Sequence, residues 1–157
     1  MRLSSMRRRK YRLRVPATTA NLGPGFDVLG VALDREVRIT ATILPARKSG
    51  DPRPEILVKM KGEGAGSIST GADNLLVRAA KSLLDRKGGA LPSMRLLVEN
   101  PIPLERGLGS SSSAIVGGVL LASALLPAKD RLAEDEIRRE AARQEGHPDN
   151  VSPAFSK

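Results

Sequence analysis

The longest apolar run in the chain, residues 114–126, constrains the fold more than any other feature. It is 13 residues long, has no charged side chain and is followed directly by Pro127. A membrane-spanning helix needs about 20 apolar residues, and this run is also interrupted by Gly117 and Gly118. We therefore expect a helix that is apolar on nearly every face, within a soluble protein.

Three scarce residue types exclude whole classes of site. The chain has no cysteine, which excludes a disulfide scaffold, a cysteine-ligated zinc ion and a cysteine nucleophile. His147 is the only histidine, so multi-histidine metal sites are excluded as well. The aromatic residues are Tyr11, Phe26 and Phe155, too few for the stacking platform that single-stranded nucleic acid requires.

Positive charge is concentrated at the amino terminus. The chain has 26 Lys and Arg against 17 Asp and Glu, a net charge of +9, and seven of these cations lie in residues 1–14 with no acid among them. The remaining 143 residues are nearly balanced, with 19 basic and 17 acidic side chains. We interpret residues 1–10 as a solvated basic tail and residues 11–157 as one domain. Binding of nucleic acid or anionic lipid, and a short targeting role, are the alternatives for the tail.

The first half of the chain has strand character. Residues 11–15 predict a strand that stops at Pro16, and the glycines and proline of 17–30 predict a loop. Apolar and polar residues alternate in 37–44 and again in 55–61, which predicts two half-buried strands that pair with each other.

The second half alternates helices with one strand. A glycine-rich loop over 62–71 leads to Asp73, which we expect to cap a helix whose leucines and alanines form one stripe. A strand over 94–99 follows, then the apolar helix, then a charged amphipathic helix over 133–145 that ends at Gly146. This order predicts an α+β fold with helices on one face of a mixed sheet.

The segment PLERGLGSSSS, residues 103–113, joins the predicted strand to the apolar helix. Gly107 and Gly109 allow the backbone to bend and an anion to approach, and the serines occupy the first helical turn, where N–H groups lack partners. The segment therefore predicts an anion site. It is not a Walker A loop or a dinucleotide fingerprint, and an ordinary serine-capped helix is the alternative.

Three segments occur in order: PATTANLGPGFDVLG at 16–30, PLERGLGSSSSA at 103–114 and EGHPDNVSPA at 145–154. They closely resemble the three N-terminal motifs of the homoserine kinases, a branch of the GHMP small-molecule kinases. The resemblance implies a ribosomal protein S5 domain 2-like α+β fold and covers only the N-terminal half of the family's chain. We therefore expect a truncated chain without the family's ferredoxin-like C-terminal domain, and little turnover of homoserine by these residues alone.

The resemblance also implies an activity, which is ATP-dependent phosphorylation of the homoserine hydroxyl on the way to threonine. It implies a cytoplasmic enzyme with ATP and Mg²⁺ as cofactors and a small-molecule substrate, and it leaves room for a homodimer of the full-length protein. The short apolar run argues against a membrane partner, and the near-neutral body and the scarcity of aromatic residues argue against a nucleic-acid partner. Two alternatives stay open. One is another GHMP kinase of the mevalonate or galactose type, and the other is an S5-like RNA-binding module that uses the basic tail.

By position in these motifs, Ser111 and Glu145 resemble the family's magnesium ligands. Both offer oxygen donors, which a hard cation prefers. The segment that resembles the ATP phosphate loop comprises Pro103, Leu104, Glu105, Arg106, Gly107, Leu108, Gly109, Ser110, Ser111, Ser112 and Ser113. Glu105 departs from the family pattern, and its carboxylate would repel a triphosphate unless it points outward or pairs with Arg106.

The same resemblance places the substrate among five polar residues. Asn21 and Asp27 resemble substrate contacts, with Asp27 meeting the homoserine ammonium group. His147, Asp149 and Asn150 resemble the other wall, where Asp149 and Asn150 are the candidate catalytic residues and Asp149 could accept the hydroxyl proton. The alternatives are local: Asx residues often bond nearby backbone, and the residues after the helix could serve as caps.

Overall fold

The structure is a computed structural model that describes residues 9–45 and 53–155, and within this part the side chains of residues 26–28 are not described. The predicted basic tail therefore lies outside the described residues except for its last two positions, and so does the side chain of Asp27. The regular elements are β1 (Lys10–Leu22), β2 (Gly25–Ile43), β3 (Ile56–Gly62), α1 (Leu75–Arg86), β4 (Met94–Asn100), α2 (Ser110–Leu125) and α3 (Glu134–Glu145), with short 3₁₀ turns at Ala128–Asp130 and Ser152–Phe155.

The four strands form one mixed sheet in the order β1-β2-β4-β3. β2 runs antiparallel to both β1 and β4, whereas β3 and β4 are parallel. This confirms the predicted α+β fold with helices on one face of a mixed sheet. No helix in the described part of the chain combines the length and the hydropathy that crossing a membrane requires.

The sheet has two chemically different faces because successive side chains alternate sides. The inner face, which packs against the helices, consists of apolar rows such as Leu13–Ile39–Val98–Met60. The outer face consists of three cross-strand rows, which run from β1 to β3 as Lys10–Thr42–Arg95–Leu57, Arg12–Thr40–Leu97–Lys59 and Arg14–Arg38–Glu99–Lys61.

Helix α2 lies at the centre of the core, as its apolar composition predicts. Its two interior glycines are explained by close packing on two sides. A Cβ at Gly117 would overlap Ile39 of the sheet, and a Cβ at Gly118 would overlap Ala79 and the backbone of α1. The glycines therefore bring α2 close to both neighbours, which accounts for residues with poor helix propensity inside a helix.

The prediction of a loop over 17–30 was wrong. β1 continues through Pro16 to Leu22, and β2 begins at Gly25, so these residues form the two arms of a long hairpin that turns at residues 23–24. Pro16 is tolerated because β1 is an edge strand and the pairing register shifts directly after it. An edge position and a bulge are where a residue without an N–H fits a sheet.

Two finer predictions were also wrong. The strand over 55–61 does not pair with β2, because β1 and β4 already occupy both sides of β2. It pairs with β4 instead, in the parallel sense that the intervening helix α1 permits. The cap of α1 is Asn74 rather than Asp73: its buried side chain accepts a hydrogen bond from the N–H of Leu76 at 3.1 Å.

Candidate functional site

The three sequence segments meet at the buried side chain of Thr18. The N–H of Thr18 donates to the carbonyl oxygen of Leu108 at 3.2 Å. Its hydroxyl donates to the carbonyl oxygen of Asn150 at 2.8 Å and lies 3.3 Å from the Oδ1 atom of the same residue. Thr18 is fully buried, so this contact fixes the hairpin, the loop over residues 103–109 and the turn after α3 against one another.

The loop over residues 103–109 leads directly into α2 and contains three residues with a left-handed backbone. Glu105, Gly107 and Gly109 have φ of +56°, +66° and +65°. No heavy atom lies within 4 Å of a Cβ placed on Gly107, whereas a Cβ on Gly109 would overlap the Thr18 hydroxyl. Open space for an approaching anion therefore exists at Gly107, while Gly109 is needed for contact with β1, a reason that sequence analysis did not identify. Glu105 and Arg106 are both exposed.

The four serines of the first turn of α2 fall into two pairs. Ser110 and Ser111 lie at or near the surface. Ser112 and Ser113 are buried, and their hydroxyls point inward. Ser112 donates to Glu145 at 2.8 Å, and Ser113 donates to the backbone oxygens of Pro16 and Gly109 at 3.0 and 2.9 Å. The inner pair therefore holds the site together, and only the outer pair presents hydroxyls to a ligand.

Glu145, the last residue of α3, faces the start of α2. The Ser111 hydroxyl lies 3.4 Å from both carboxylate oxygens of Glu145. Gly146, with φ of +90°, then turns the chain away from the helix. The two predicted metal ligands are thus side by side, and their donors are oxygens of the kind that Mg²⁺ prefers. Within the described residues there is no cluster of three or more His, Asp or Glu, so the rest of such a coordination sphere would have to come from water or ligand oxygens.

The predicted substrate residues divide into those that the structure brings together and those that it does not. The amide of Asn21 donates to Asp149 Oδ2 at 3.2 Å, and Asn21 itself adopts a left-handed φ of +60° at the second register shift of β1. Asn150 is bound by Thr18, as described above. His147 is exposed, and the side chain of Asp27 lies outside the described residues.

Gly30 of β2 is a second contact that sequence analysis did not single out. A Cβ at this position would overlap Pro153 and would lie 2.9 Å from the carbonyl oxygen of Asp149. The hairpin and the turn over 148–153 therefore pack backbone against backbone. Thr18 and Gly30 both lie inside the first sequence segment, but small residues carry no chemical signal of their role.

An apolar cavity of about 320 Å³ opens beside the first turn of α2. Five helices and strands, the loop over 103–109 and the connection between β3 and α1 contribute to its wall, which is mostly apolar with a few polar atoms near the loop. The lining residues are Val37, Met60, Ile68, Asn74, Leu75, Leu76, Val98, Asn100, Leu104, Glu105, Ser110, Ser111 and Ala114. Small-molecule sites have this combination of an apolar wall and a few convergent polar groups.

A larger groove of about 650 Å³ lies between α1 and α3, away from the loop. Four of its six polar lining residues are already engaged: Lys81 pairs with Asp85, and Arg143 and Gln144 bind Glu140. It is also shallow and open, so we place the candidate site at the smaller cavity and the start of α2.

Comparison with known proteins points to one family. The family described as GHMP kinases N terminal domain matches residues 74–157, just over half of the chain. The homoserine kinase of Synechocystis sp. is 44% identical over 145 residues, which is 92% of this chain and 45% of that protein. The homoserine kinase of Clavibacter michiganensis is 43% identical over 94% of this chain and 44% of its own length. The chain thus spans less than half the length of the curated relatives it matches.

Solved structures show the same fold. A Listeria monocytogenes protein assigned as a homoserine kinase superposes with a TM-score of 0.70 at 39% identity, over 91% of this chain and 46% of that one. The mevalonate kinase of Methanococcus jannaschii superposes with the same TM-score of 0.70 at 20% identity, over 96% of this chain and 52% of that one. The second likeness concerns the fold alone.

Proposed function

We propose, because this chain belongs to the GHMP kinase family, that it carries the ATP-binding site of a cytoplasmic kinase for the hydroxyl group of L-homoserine. The observation that carries the proposal is the convergence of the three segments on the start of α2. The N-terminus of a helix attracts phosphate because its N–H groups are unpaired and its dipole is positive there. The adjoining apolar cavity has the size and the lining to receive a nucleotide base.

The loop and the outer serines are the proposed phosphate contacts. Gly107 offers open space beside the loop backbone, and the surface hydroxyl of Ser111 adds a donor. Ser112 and Ser113 take part through the fold rather than through their hydroxyls, which are bound to Glu145 and to β1. Phosphoryl transfer depends mainly on such positioning and on neutralisation of charge.

Ser111 and Glu145 are the residues that would hold Mg²⁺. When bound, the ion neutralises phosphate charge and polarises the transferring group. Ser112 fixes the Glu145 carboxylate by its 2.8 Å hydrogen bond, and this orients the carboxylate toward the start of α2. A ligand whose supporting hydrogen bond is already in place needs less reorganisation when the ion arrives.

The amino-acid substrate is proposed to lie between the hairpin and the turn over 148–153. Asn21 orients the Asp149 carboxylate through the 3.2 Å hydrogen bond, and Asp149 receives or orients the proton of the homoserine hydroxyl. Asp27 is proposed to meet the ammonium group, and His147 and Asn150 complete the wall. The identity of the acceptor is supported by the names of the relatives at about 40% identity and above, whereas the mevalonate kinases share the fold at lower identity.

The choice of acceptor is testable by binding. The chain, saturated with a non-hydrolysable ATP analogue and Mg²⁺, is titrated calorimetrically with L-homoserine, mevalonate, galactose or 2-aminobutyrate, which is homoserine without its hydroxyl. We expect homoserine to bind at least about tenfold more tightly than 2-aminobutyrate, because a site built to bond a hydroxyl rejects an analogue that lacks it. Mevalonate and galactose should also bind at least about tenfold more weakly, because they lack the ammonium group that Asp27 is proposed to meet. Preference for mevalonate or galactose would move the protein to another branch of the family.

A further inference from the structure

We propose that the outer face of the sheet binds the phosphate backbone of a nucleic-acid duplex. This face is the side of the sheet opposite the helices. Its first row places Lys10 and Arg95 on the same side, and its second row places Arg12 and Lys59 there. All four side chains are exposed.

The third row is the most strongly charged. It contains Arg14, Arg38 and Lys61 together with Glu99. Arg14 and Arg38 lie directly opposite each other on neighbouring strands, an arrangement of like charges that destabilises a sheet. Glu36 offsets it in part, at 3.6 Å from Arg14 and 3.1 Å from Arg38. Lys61 likewise lies 3.5 Å from Glu99, so every cation of this row has a carboxylate nearby. Among the described residues, the four cations of the first two rows form no such pair, and they are the side chains available to an external anion.

The net charge of the chain does not by itself indicate this positively charged surface. Outside the first 14 residues the sequence is nearly neutral, and this near-neutrality argued against nucleic acid at the level of sequence. The fold, however, places four cations from this nearly neutral part, Arg38, Lys59, Lys61 and Arg95, on the same face as the three cations of residues 10–14. In the described part of the chain, Glu36 and Glu99 are the acids paired with them. A local field of this kind steers polyanions toward the surface regardless of the total charge.

The dimensions and chemistry of the outer face favour a duplex. Four strands about 4.8 Å apart span about 14 Å, and a duplex carries about eight phosphate charges over that length. None of the residues in the three rows is aromatic, so the face cannot stack unpaired bases. Leu57, at one corner, is its only exposed leucine, so it lacks the apolar area that an interfacial membrane contact buries.

The test is the binding of a fluorescent 20-base-pair DNA duplex to the full chain, measured by anisotropy between 50 and 200 mM salt. We expect micromolar affinity near physiological salt. The slope of log binding constant against log salt concentration should be about −4, which corresponds to about four phosphate contacts at about −0.9 each. The triple variant Arg12→Gln/Lys59→Gln/Arg95→Gln should bind at least about tenfold more weakly, with a slope shallower by about 2 to 3.

Two control variants locate the effect. Lys87→Gln/Lys129→Gln/Arg131→Gln removes the same charge from exposed positions on the helical side and should leave affinity within about twofold. Arg2→Gln/Arg7→Gln/Arg8→Gln removes charge from the tail and should lower the affinity less than the outer-face variant does.

The proposal is overturned if the duplex does not bind, if the tail variant accounts for the whole affinity, or if the outer-face variant binds like wild type. It is also overturned if only vesicles of anionic phospholipid bind. The outcome is independent of the kinase proposal, because Mg²⁺ with the ATP analogue should not displace the duplex.

Discussion

The hydroxyl of Thr18 donates a hydrogen bond to the backbone oxygen of Asn150, 2.8 Å away and 132 residues later in the chain. This bond ties the edge hairpin to the turn that follows α3. On its other side Thr18 fills the space beside Gly109, at the start of α2. One small buried side chain therefore sets the relative positions of the proposed nucleotide and acceptor contacts.

Replacing Thr18 by valine should destabilise the chain by about 1–3 kcal/mol, because it removes the donor and leaves the partly buried carbonyl of Asn150 unpaired. Thr18→Ser keeps the donor and should recover most of the loss. Urea denaturation measures both effects. Equal stability of the valine variant and wild type would mean that the bond does not hold the segments together.

Gly109 and Gly107 provide a matched pair of alanine substitutions. Both have φ near +65°, so alanine at either position costs about 1–2 kcal/mol from the backbone alone. Only at Gly109 does the new methyl group also overlap Thr18, which should add about 1–3 kcal/mol and displace the loop. We expect Gly109→Ala to be the less stable variant in urea denaturation and to bind the ATP analogue more weakly. Indistinguishable variants would contradict the packing role of Gly109.

The helices and strands that were predicted correctly are those in which the spacing of apolar residues along the sequence matches the side of the element that is buried. The leucine and alanine stripe of α1, the alternation at residues 37–44 and the glycine that ends α3 each describe one element without reference to a partner. The hairpin arms were missed because Pro16, Gly23 and Gly25 act as breakers in isolation, whereas an edge position and a register shift accommodate them. Strand order also depends on contacts between distant segments, which a local pattern does not contain.

The candidate site was predicted in part for a similar reason. Chemically distinctive residues such as Ser111, Glu145 and Asp149 could be named from the motifs, and the structure places them beside partners. Thr18 and Gly30 act through the space they fill, and the apolar cavity is assembled from five elements. These contacts and the cavity form only when the chain folds, so no local residue pattern could predict them.

Asp27→Asn tests the proposed contact with the homoserine ammonium group. The change preserves size and removes a charge, so homoserine should bind about 1.5–3 kcal/mol more weakly, the usual contribution of a charge-assisted hydrogen bond. Affinity for the ATP analogue should remain unchanged, and calorimetry measures both. Asp34→Asn, at the other aspartate of β2, is the control. If homoserine binds the Asp27 variant like wild type, Asp27 is only a structural residue of the hairpin.

Glu140 should make stability depend on acid pH. Its side chain is only 8% exposed. Burial raises the pKa of its carboxyl, but hydrogen bonds from Arg143 and Gln144 and the nearby charge of Arg86 outweigh burial, so the pKa lies below its ordinary value. A lowered pKa means that the folded state binds the proton less readily than the unfolded state. The stabilisation is therefore complete above the unfolded pKa and is lost as pH falls through the folded pKa.

Glu140→Gln should accordingly lower the free energy of unfolding by about 1–2 kcal/mol at pH 7. The loss is limited because the arginine partners of Glu140 are half-exposed. The difference from wild type should shrink at pH 3. Urea denaturation at both pH values provides the measurement. Glu134→Gln breaks an exposed pair with Arg138 at 3.4 Å and should change stability little at either pH. A penalty for Glu140→Gln that persists undiminished at pH 3 would show that its charge is not the cause.

The most direct test of the nucleotide site is calorimetric binding of the non-hydrolysable ATP analogue to the chain with and without Mg²⁺. Wild type should bind one equivalent, at least about tenfold more tightly with Mg²⁺, since charge-assisted contacts contribute about 1.5–3 kcal/mol. Glu145→Gln should lose this magnesium-dependent gain and keep the magnesium-free affinity, while Asp135→Asn on the same helix behaves like wild type. Absence of saturable binding by wild type, or a full magnesium effect in the Glu145 variant, would contradict the site described at the start of α2.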